Sequence, residues 1–250
     1  MTIPGNLHTT AMAVMPHKDV ESALDLALTM DIPFWPQLPH VSYTEDMYVQ
    51  AAEHFPGILL DMENRTLRFS MEKFILEFEE TMAHFDEPEY FDISKEYSVV
   101  YHRFLEMEQF FAMTQRPRGV HLCGNPDWDF LLGLDLDVLS LDIYQNGEVF
   151  SSYSESIKRF LDRGGVIVWG IVPTNFEPFE IENINTLEAR LTEVWNLLSN
   201  KGIDREFLIS RSLISPATCC LVNPDGEKTV EKAFGVVKEL SRRLQDRYGI

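Results

Sequence analysis

Gly119-Val120-His121-Leu122-Cys123, Val138-Leu139-Ser140-Leu141-Asp142, Gly165-Val166-Ile167-Val168-Trp169 and Phe207-Leu208-Ile209-Ser210 are short apolar runs in the second half of the chain. Near-continuous apolar runs of this length mark strands buried on both faces, the condition of a parallel sheet. The stretches 126–134, 152–162, 184–200 and 228–244, which lie between or after these runs, read as helical. Strand and helix in alternation is what β/α crossovers require, so the spacing predicts an α/β fold.

Working outward to the N-terminus, Leu7 to Val14 reads as a further strand, and Pro16-His17-Lys18-Asp19 leads into an apolar-periodic helix from about Val20 to Met30. A short strand from Ile32 to Trp35 follows, punctuated by Pro33, Pro36 and Pro39, and a helix is expected after Thr44-Glu45-Asp46 to about His54. Six strands of barrel type are recognisable in this way. A closed (β/α)8 TIM barrel has eight strands and typically ~250 residues. The expectation is therefore one TIM-barrel-like domain over residues 1–250, with two strands hidden between Val41 and Arg118 or with the barrel open. Ile58-Leu59-Leu60 and Thr66-Leu67-Arg68-Phe69 flank the polar Glu63-Asn64-Arg65 as a hairpin would. Helical patterns at 71–84 and 96–113 then make the region from about 57 to 113 a hairpin and helical insertion.

Composition excludes several classes. With 45% hydrophobic and 12% aromatic residues the chain has material for a large core. Its 40 acidic against 21 basic residues, a formal charge of -19, repel phosphate backbones and anionic lipid surfaces, so nucleic acid and membrane partners are not expected. No apolar run reaches the ~20 residues of a membrane span, and Met1-Thr2-Ile3-Pro4-Gly5 lacks the basic start of a signal peptide, which predicts a cytoplasmic protein. Arg163-Gly164-Gly165 lacks the glycine spacing of a phosphate loop, and there is no Gly-x-Ser-x-Gly elbow. The acidic stretch from Glu72 to Asp92 reads as a solvated helical face or as a docking surface for a basic partner.

Three cysteines, two of them adjacent, make no disulfide framework and are instead buried residues, nucleophiles or ligands. His121 and Cys123 stand at i and i+2, and in a strand such side chains project from one face, so both can reach one zinc ion. A buried His and Cys in a strand give the same spacing without a metal. Ser215-Pro216-Ala217-Thr218-Cys219-Cys220 adds soft ligands at the same expected rim of the sheet. Three protein ligands with an open position are the arrangement of catalytic zinc, and a thiol entering that position is held as its thiolate. Asp142 ends the next strand as a displaceable oxygen ligand, as an acceptor for the other nitrogen of His121, or as the cap of a Gln145-Asn146-Gly147 turn. Trp169 is placed either to floor a pocket, with Gly170 letting a ligand approach the backbone, or simply to pack in the core. His17, after the end of the first strand, and Asn125, beside the His-x-Cys pair, are the other substrate-contact candidates.

His121-Leu122-Cys123-Gly124-Asn125, the run from Asp135 to Asp142, and Ser215-Pro216-Ala217-Thr218-Cys219-Cys220-Leu221 resemble the zinc-binding segments of cobalamin-independent methionine synthase. The wider superfamily includes uroporphyrinogen decarboxylase and corrinoid-dependent methyltransferases, all on the β/α barrel. The resemblance implies zinc held by His121, Cys123 and a distant cysteine. Cys219 aligns with that cysteine, because the family's Cys-Gly-Leu then reads Cys219-Cys220-Leu221, and Cys220 is the alternative. Asp142 falls where the methionine synthase has a glutamate ligand, and Met15-Pro16-His17 resembles the family's substrate-binding opening segment. The resemblance spans about 6–56 and 117–245. Ala13-Val14 replaces the family's Gly-Ser, and Val41 stands nearest the position of the acidic residue that holds the homocysteine amine.

By this resemblance the chain is expected to be a zinc-dependent methyltransferase that activates homocysteine or another small thiol. Its likeness lacks the folate-binding first half of the full-length synthase, so a methyl-corrinoid, carried on a corrinoid protein, is the implied donor. Two other readings stay open. One is a metal-free decarboxylase of the uroporphyrinogen type, which needs basic residues for its carboxylated substrate and which the charge of -19 disfavours. The other is a non-catalytic relative, zinc-stabilised, that binds a partner protein. A homo-oligomer is compatible with either enzyme.

Overall fold

Every residue from Val166 to Val172 is buried, which requires a strand covered on both faces and paired on both edges. The computed structural model describes residues 3–46, 49, 57–73, 117–219 and 222–250. Its strands are β1 (Ile58–Asp61), β2 (Thr66–Phe69), β3 (Gly119–Leu122), β4 (Val138–Asp142), β5 (Val166–Val172) and β6 (Ser212–Pro216). The helices are α1 (Val20–Ala27), α2 (Trp128–Gly133), α3 (Ile143–Ser151), α4 (Ser154–Asp162), α5 (Phe176–Ile181), α6 (Ile184–Asn200), α7 (Arg205–Ser210) and α8 (Lys228–Tyr248).

Strands β3 to β6 form one parallel sheet in sequence order, flanked by helices, so the fold is mixed α/β as the alternation predicts. β1 and β2 pair antiparallel with Asp61 opposite Thr66, which is the expected hairpin. The N-terminal segment lies along the free edge of β6, where Thr9 bridges Ile214 in parallel. Val14 in turn bridges Gln37. Around Ile32 to Trp35 the structure has no ladder, only the amide of Ile32 on the Thr9 carbonyl at 3.0 Å and the Thr10 hydroxyl on the Ile32 carbonyl at 3.0 Å. Pro33 and Pro36 have no N–H to give such a ladder.

The two faces of the sheet pack differently, following the period of two along each strand. Leu139, Leu141, Ile167, Trp169 and Ile214 belong to the large core shared with the helices. Val166, Val168 and Leu213 form a smaller cluster with Ile32 and Val138. An aromatic series runs through the helix layer, from Trp128 to Phe150 at 5.0 Å, Phe150 to Trp169 at 6.1 Å, Trp169 to Trp195 at 6.2 Å and Trp195 to Tyr248 at 6.2 Å. The edge-on contacts each add about 0.5–1.5 kcal/mol to the burial of the rings.

Two sequence expectations are corrected. Phe207-Leu208-Ile209-Ser210 is helical and not a strand, because Asp204 caps α7 by accepting the Phe207 amide at 2.8 Å. An apolar run this short reads equally well as strand or buried helix, and the strand is the next segment, β6. Gln145-Asn146-Gly147 is likewise not a turn but lies in α3. Gly147 sits there because α6 packs so closely that a Cβ would come within 2.7 Å of Val194 Cγ2. Most of the helices expected to about His54 and at 71–84, and all of the one at 96–113, fall on residues outside those described, while 71–73 are helical.

Gly170 also has a packing reason. A Cβ there would lie 2.6 Å from the Leu141 carbonyl oxygen and 2.9 Å from that of Pro216. Both are backbone atoms of neighbouring strands, so it is these strands, and not a ligand, that the missing side chain admits. Gly170→Ala should cost about 1–3 kcal/mol by overpacking. Urea denaturation measures this, and an unchanged midpoint would mean the sheet yields at that point.

Candidate functional site

The register carries His121 opposite Ser140, Ser140 opposite Val168 and Val168 opposite Leu213, so these residues form one row across the sheet. That row shares the face of the smaller cluster, opposite the helix-packed tryptophan. His121 Nδ1 lies 2.8 Å from Ser140 Oγ, which orients the ring. Its Nε2 lies 3.3 Å from Cys123 Sγ. Burial holds the imidazole below its ordinary value, so at neutral pH the ring is uncharged, the state that ligates a metal.

Cys123 is exposed at the end of β3. Its sulfur accepts a hydrogen bond from the Thr218 hydroxyl at 3.0 Å, across 95 positions of sequence. Asn146 on α3 donates to the Cys123 carbonyl at 3.4 Å and to the Asp142 carbonyl at 3.1 Å, joining the ends of β3 and β4. The His-x-Cys pair and the segment that carries the late cysteines therefore meet at one rim. The Cys219 thiol itself contacts the N-terminal segment, accepting the Val14 amide at 3.3 Å and lying 3.6 Å from the Met12 carbonyl. Among the described residues no three of His, Cys, Asp and Glu are close enough to hold a metal ion. Cys220, the alternative ligand, lies outside those residues.

Asp142 is fully buried and caps α3, its two oxygens accepting from the Gln145 amide at 3.0 Å and the Gln145 side chain at 2.9 Å. Burial pushes its carboxyl up from the usual range, and the Gln145 hydrogen bonds oppose that shift. Of the roles expected for it, the partner of the other His121 nitrogen is corrected, since Ser140 fills that place. Capping is the role the geometry displays, with a helix in place of the expected turn.

The substrate-contact candidates divide. Met15 is fully buried, with its amide on the Gln37 carbonyl at 2.8 Å. Trp169 is also fully buried, its indole N–H donated to Ser212 Oγ at 2.7 Å within the aromatic series. It is thus a core side chain and not a pocket floor. His17 is fully buried as well, with Nε2 3.9 Å from a Glu231 carboxylate oxygen and no hydrogen-bond partner for either ring nitrogen among the described residues. Asn125 is exposed beside the His-x-Cys pair and accepts the Trp128 indole N–H at 2.7 Å.

Ser140 and Thr218 were not legible as site residues, and neither was a cavity of about 520 Å³ that Thr218 lines. Asp142 and Gln145 at the end of β4, Pro173 after β5, Glu177 and Ile181 on α5, and Thr218 after β6 are among the residues of its wall. A volume of this order suits a small molecule. Only the position of these residues beyond successive parallel strands, where α/β folds gather ligands, hints at it in sequence.

No protein-family model matches the chain, and neither a curated protein nor a solved structure matches it. Among the described residues, no helix is long and apolar enough to cross a membrane.

Proposed function

We propose that this chain is a zinc-dependent methyltransferase of the cobalamin-independent methionine synthase type, which activates a small thiol to accept a methyl group from a methyl-corrinoid donor. The observation that carries the reading is the Thr218 hydroxyl on the Cys123 sulfur at 3.0 Å, with His121 Nε2 at 3.3 Å from the same atom. Segments 95 residues apart are thereby joined where the resemblance expects a shared metal. Consecutive Cα atoms are about 3.8 Å apart, so the cysteine after Thr218 starts one residue from that contact.

The donor set suits zinc, which takes imidazole nitrogen and thiolate sulfur. His121, Cys123 and one of Cys219 and Cys220 would hold it. When bound, the ion supplies the positive charge that keeps an entering thiol deprotonated at neutral pH. The contact with Ser140 holds the tilt of His121, and the Thr218 hydroxyl donates to the Cys123 sulfur. In the transfer, the acceptor sulfur forms a bond to the methyl carbon as the bond from that carbon to the donor breaks. The electron pair of the broken bond leaves with the donor.

A frame of the (β/α)8 kind is part of the proposal. β3, β4, β5 and β6 lie in that order, and the bridges Thr9 to Ile214 and Val14 to Gln37 continue it into the first and second N-terminal segments. Six parallel positions in cyclic order are what such a barrel requires, and the remaining two would fall between Val41 and Arg118.

Metal analysis of the purified protein should give stoichiometric zinc, and methyl from methylcobalamin should appear on at least one member of a panel of small thiols. Protein that carries no zinc and takes none up on addition would remove the reading.

A further inference from the structure

Two polar side chains that the proposed reaction does not use hold the segment of the late cysteines at both ends. β6 ends at Pro216, and its pairing with β5 shifts register between Gly170 and Val172. The Ala217 amide on the Val172 carbonyl at 2.8 Å is the last backbone bond between the two strands among the described residues. Beyond it, the Thr174 hydroxyl donates to the Thr218 carbonyl at 2.8 Å. Asn223 returns to the same place, its Nδ2 donating to the Thr174 carbonyl at 2.9 Å and its Oδ1 accepting the Phe176 amide at 2.9 Å. Thr174 is thus tied by its hydroxyl to the residue before Cys219-Cys220, and by its carbonyl to a side chain just after them. It is buried, and Asn223 is half-buried. The Asn223 oxygen has a second use. Asn175 gives α5 no side-chain cap, so the first amide of that helix has no acceptor of its own, and Asn223 supplies one. Only a carboxamide both donates and accepts across such a gap.

Resting on the zinc reading above, we infer that Thr174 and Asn223 are positioning residues for the late thiolate, fixing both ends of the segment that carries it. The Thr218 end is also the one that touches the Cys123 sulfur, so the clamp sets where this segment stands relative to the His-x-Cys pair. Ordering a loop costs conformational entropy, and a ligand whose loop is already held adds no such cost on binding. Neighbouring groups that hold metal ligands in place typically contribute about 10–100-fold to metal affinity.

Three measurements on the full chain test this together: zinc affinity by competition with a chromophoric chelator, absorption of the cobalt(II)-substituted protein, and the urea midpoint of the metal-free protein. Cobalt(II) takes the same nitrogen and thiolate donors, and its thiolate charge-transfer band falls when a sulfur ligand is lost. Whichever of Cys219→Ser and Cys220→Ser lowers the band sets the size of one sulfur. Thr174→Val removes the hydroxyl at nearly the same shape, and Asn223→Ala removes the other tie. Each should weaken zinc by at least about tenfold and lower the cobalt band toward that of the serine variant. Thr174→Ser keeps the donor and should keep both readouts at wild-type values. A merely structural role would lower the midpoint of the metal-free protein and leave affinity and band unchanged, and that result overturns the inference while the zinc reading stands. Thr174→Ser as weak in zinc as Thr174→Val overturns it too, as does a band that neither serine variant lowers. Asn223 is only half-buried, so its truncation decides the matter even where Thr174→Val does not fold. Wild-type protein that takes up neither metal removes the zinc reading and this inference with it.

Discussion

Cys123→Ser protein should purify without stoichiometric zinc and should transfer no methyl group to any thiol. Loss of a residue that merely orients a zinc ligand costs about 10–100-fold in affinity, so loss of a ligand itself should exceed that range. A serine hydroxyl does not substitute, because its oxygen stays protonated at neutral pH where a zinc-bound thiol does not. His121→Ala should behave the same way, and its cost to the fold should be small because the ring is only partly buried. The unfolding midpoint distinguishes the two effects: Cys123 is exposed, and surface changes usually stay within about ±0.5 kcal/mol. Full zinc retention in both variants, by metal analysis, would leave no role for the pair. Cys219→Ser and Cys220→Ser, compared in the same way, identify the third ligand.

Trp169→Ala should be the most destabilising single change in the sheet, by about 3–5 kcal/mol in urea denaturation. The indole is fully buried, packs edge-on to Phe150 and Trp195, and donates to Ser212 at 2.7 Å. Truncation to alanine leaves a cavity that neighbouring tryptophan and phenylalanine rings cannot fill by small shifts. Trp169→Phe keeps most of the ring volume, and Ser212 retains its own hydrogen bond to the Leu208 carbonyl at 2.7 Å. That variant should therefore keep wild-type zinc content and thiol affinity. A loss of thiol binding at unchanged stability would return Trp169 to the site.

Trp169 shows how reading from sequence goes astray. The apolar run read from sequence ends at Trp169 as others end at Cys123 and Asp142, but β5 continues to Val172 and leaves the tryptophan at its middle. Because side chains alternate along a strand, one residue decides between helix layer and opposite face. His121 and Cys123 escaped this ambiguity as a pair because their spacing of two puts both on one side whichever side it is. The helices with regular apolar spacing, such as α6 and α8, were legible throughout. Short α7, with a strand-like apolar composition, was not, and only its Asp204 cap marks it as helical.

Sequence by itself determined the alternation of strand and helix, the parallel sheet and the polar-turned hairpin, because hydrophobic periodicity and turn chemistry are local properties of the chain. It also singled out the His-x-Cys pair and the late cysteines as the residues with metal chemistry. Tertiary structure alone decided that Ser140 stands beside His121, that Thr218 reaches Cys123, that Cys219 turns to Val14, and that Asp142 closes a cavity with Glu177. These are contacts between strands and loops far apart in the chain. The register and packing that set them come from the fit of whole elements against one another, which no local stretch encodes.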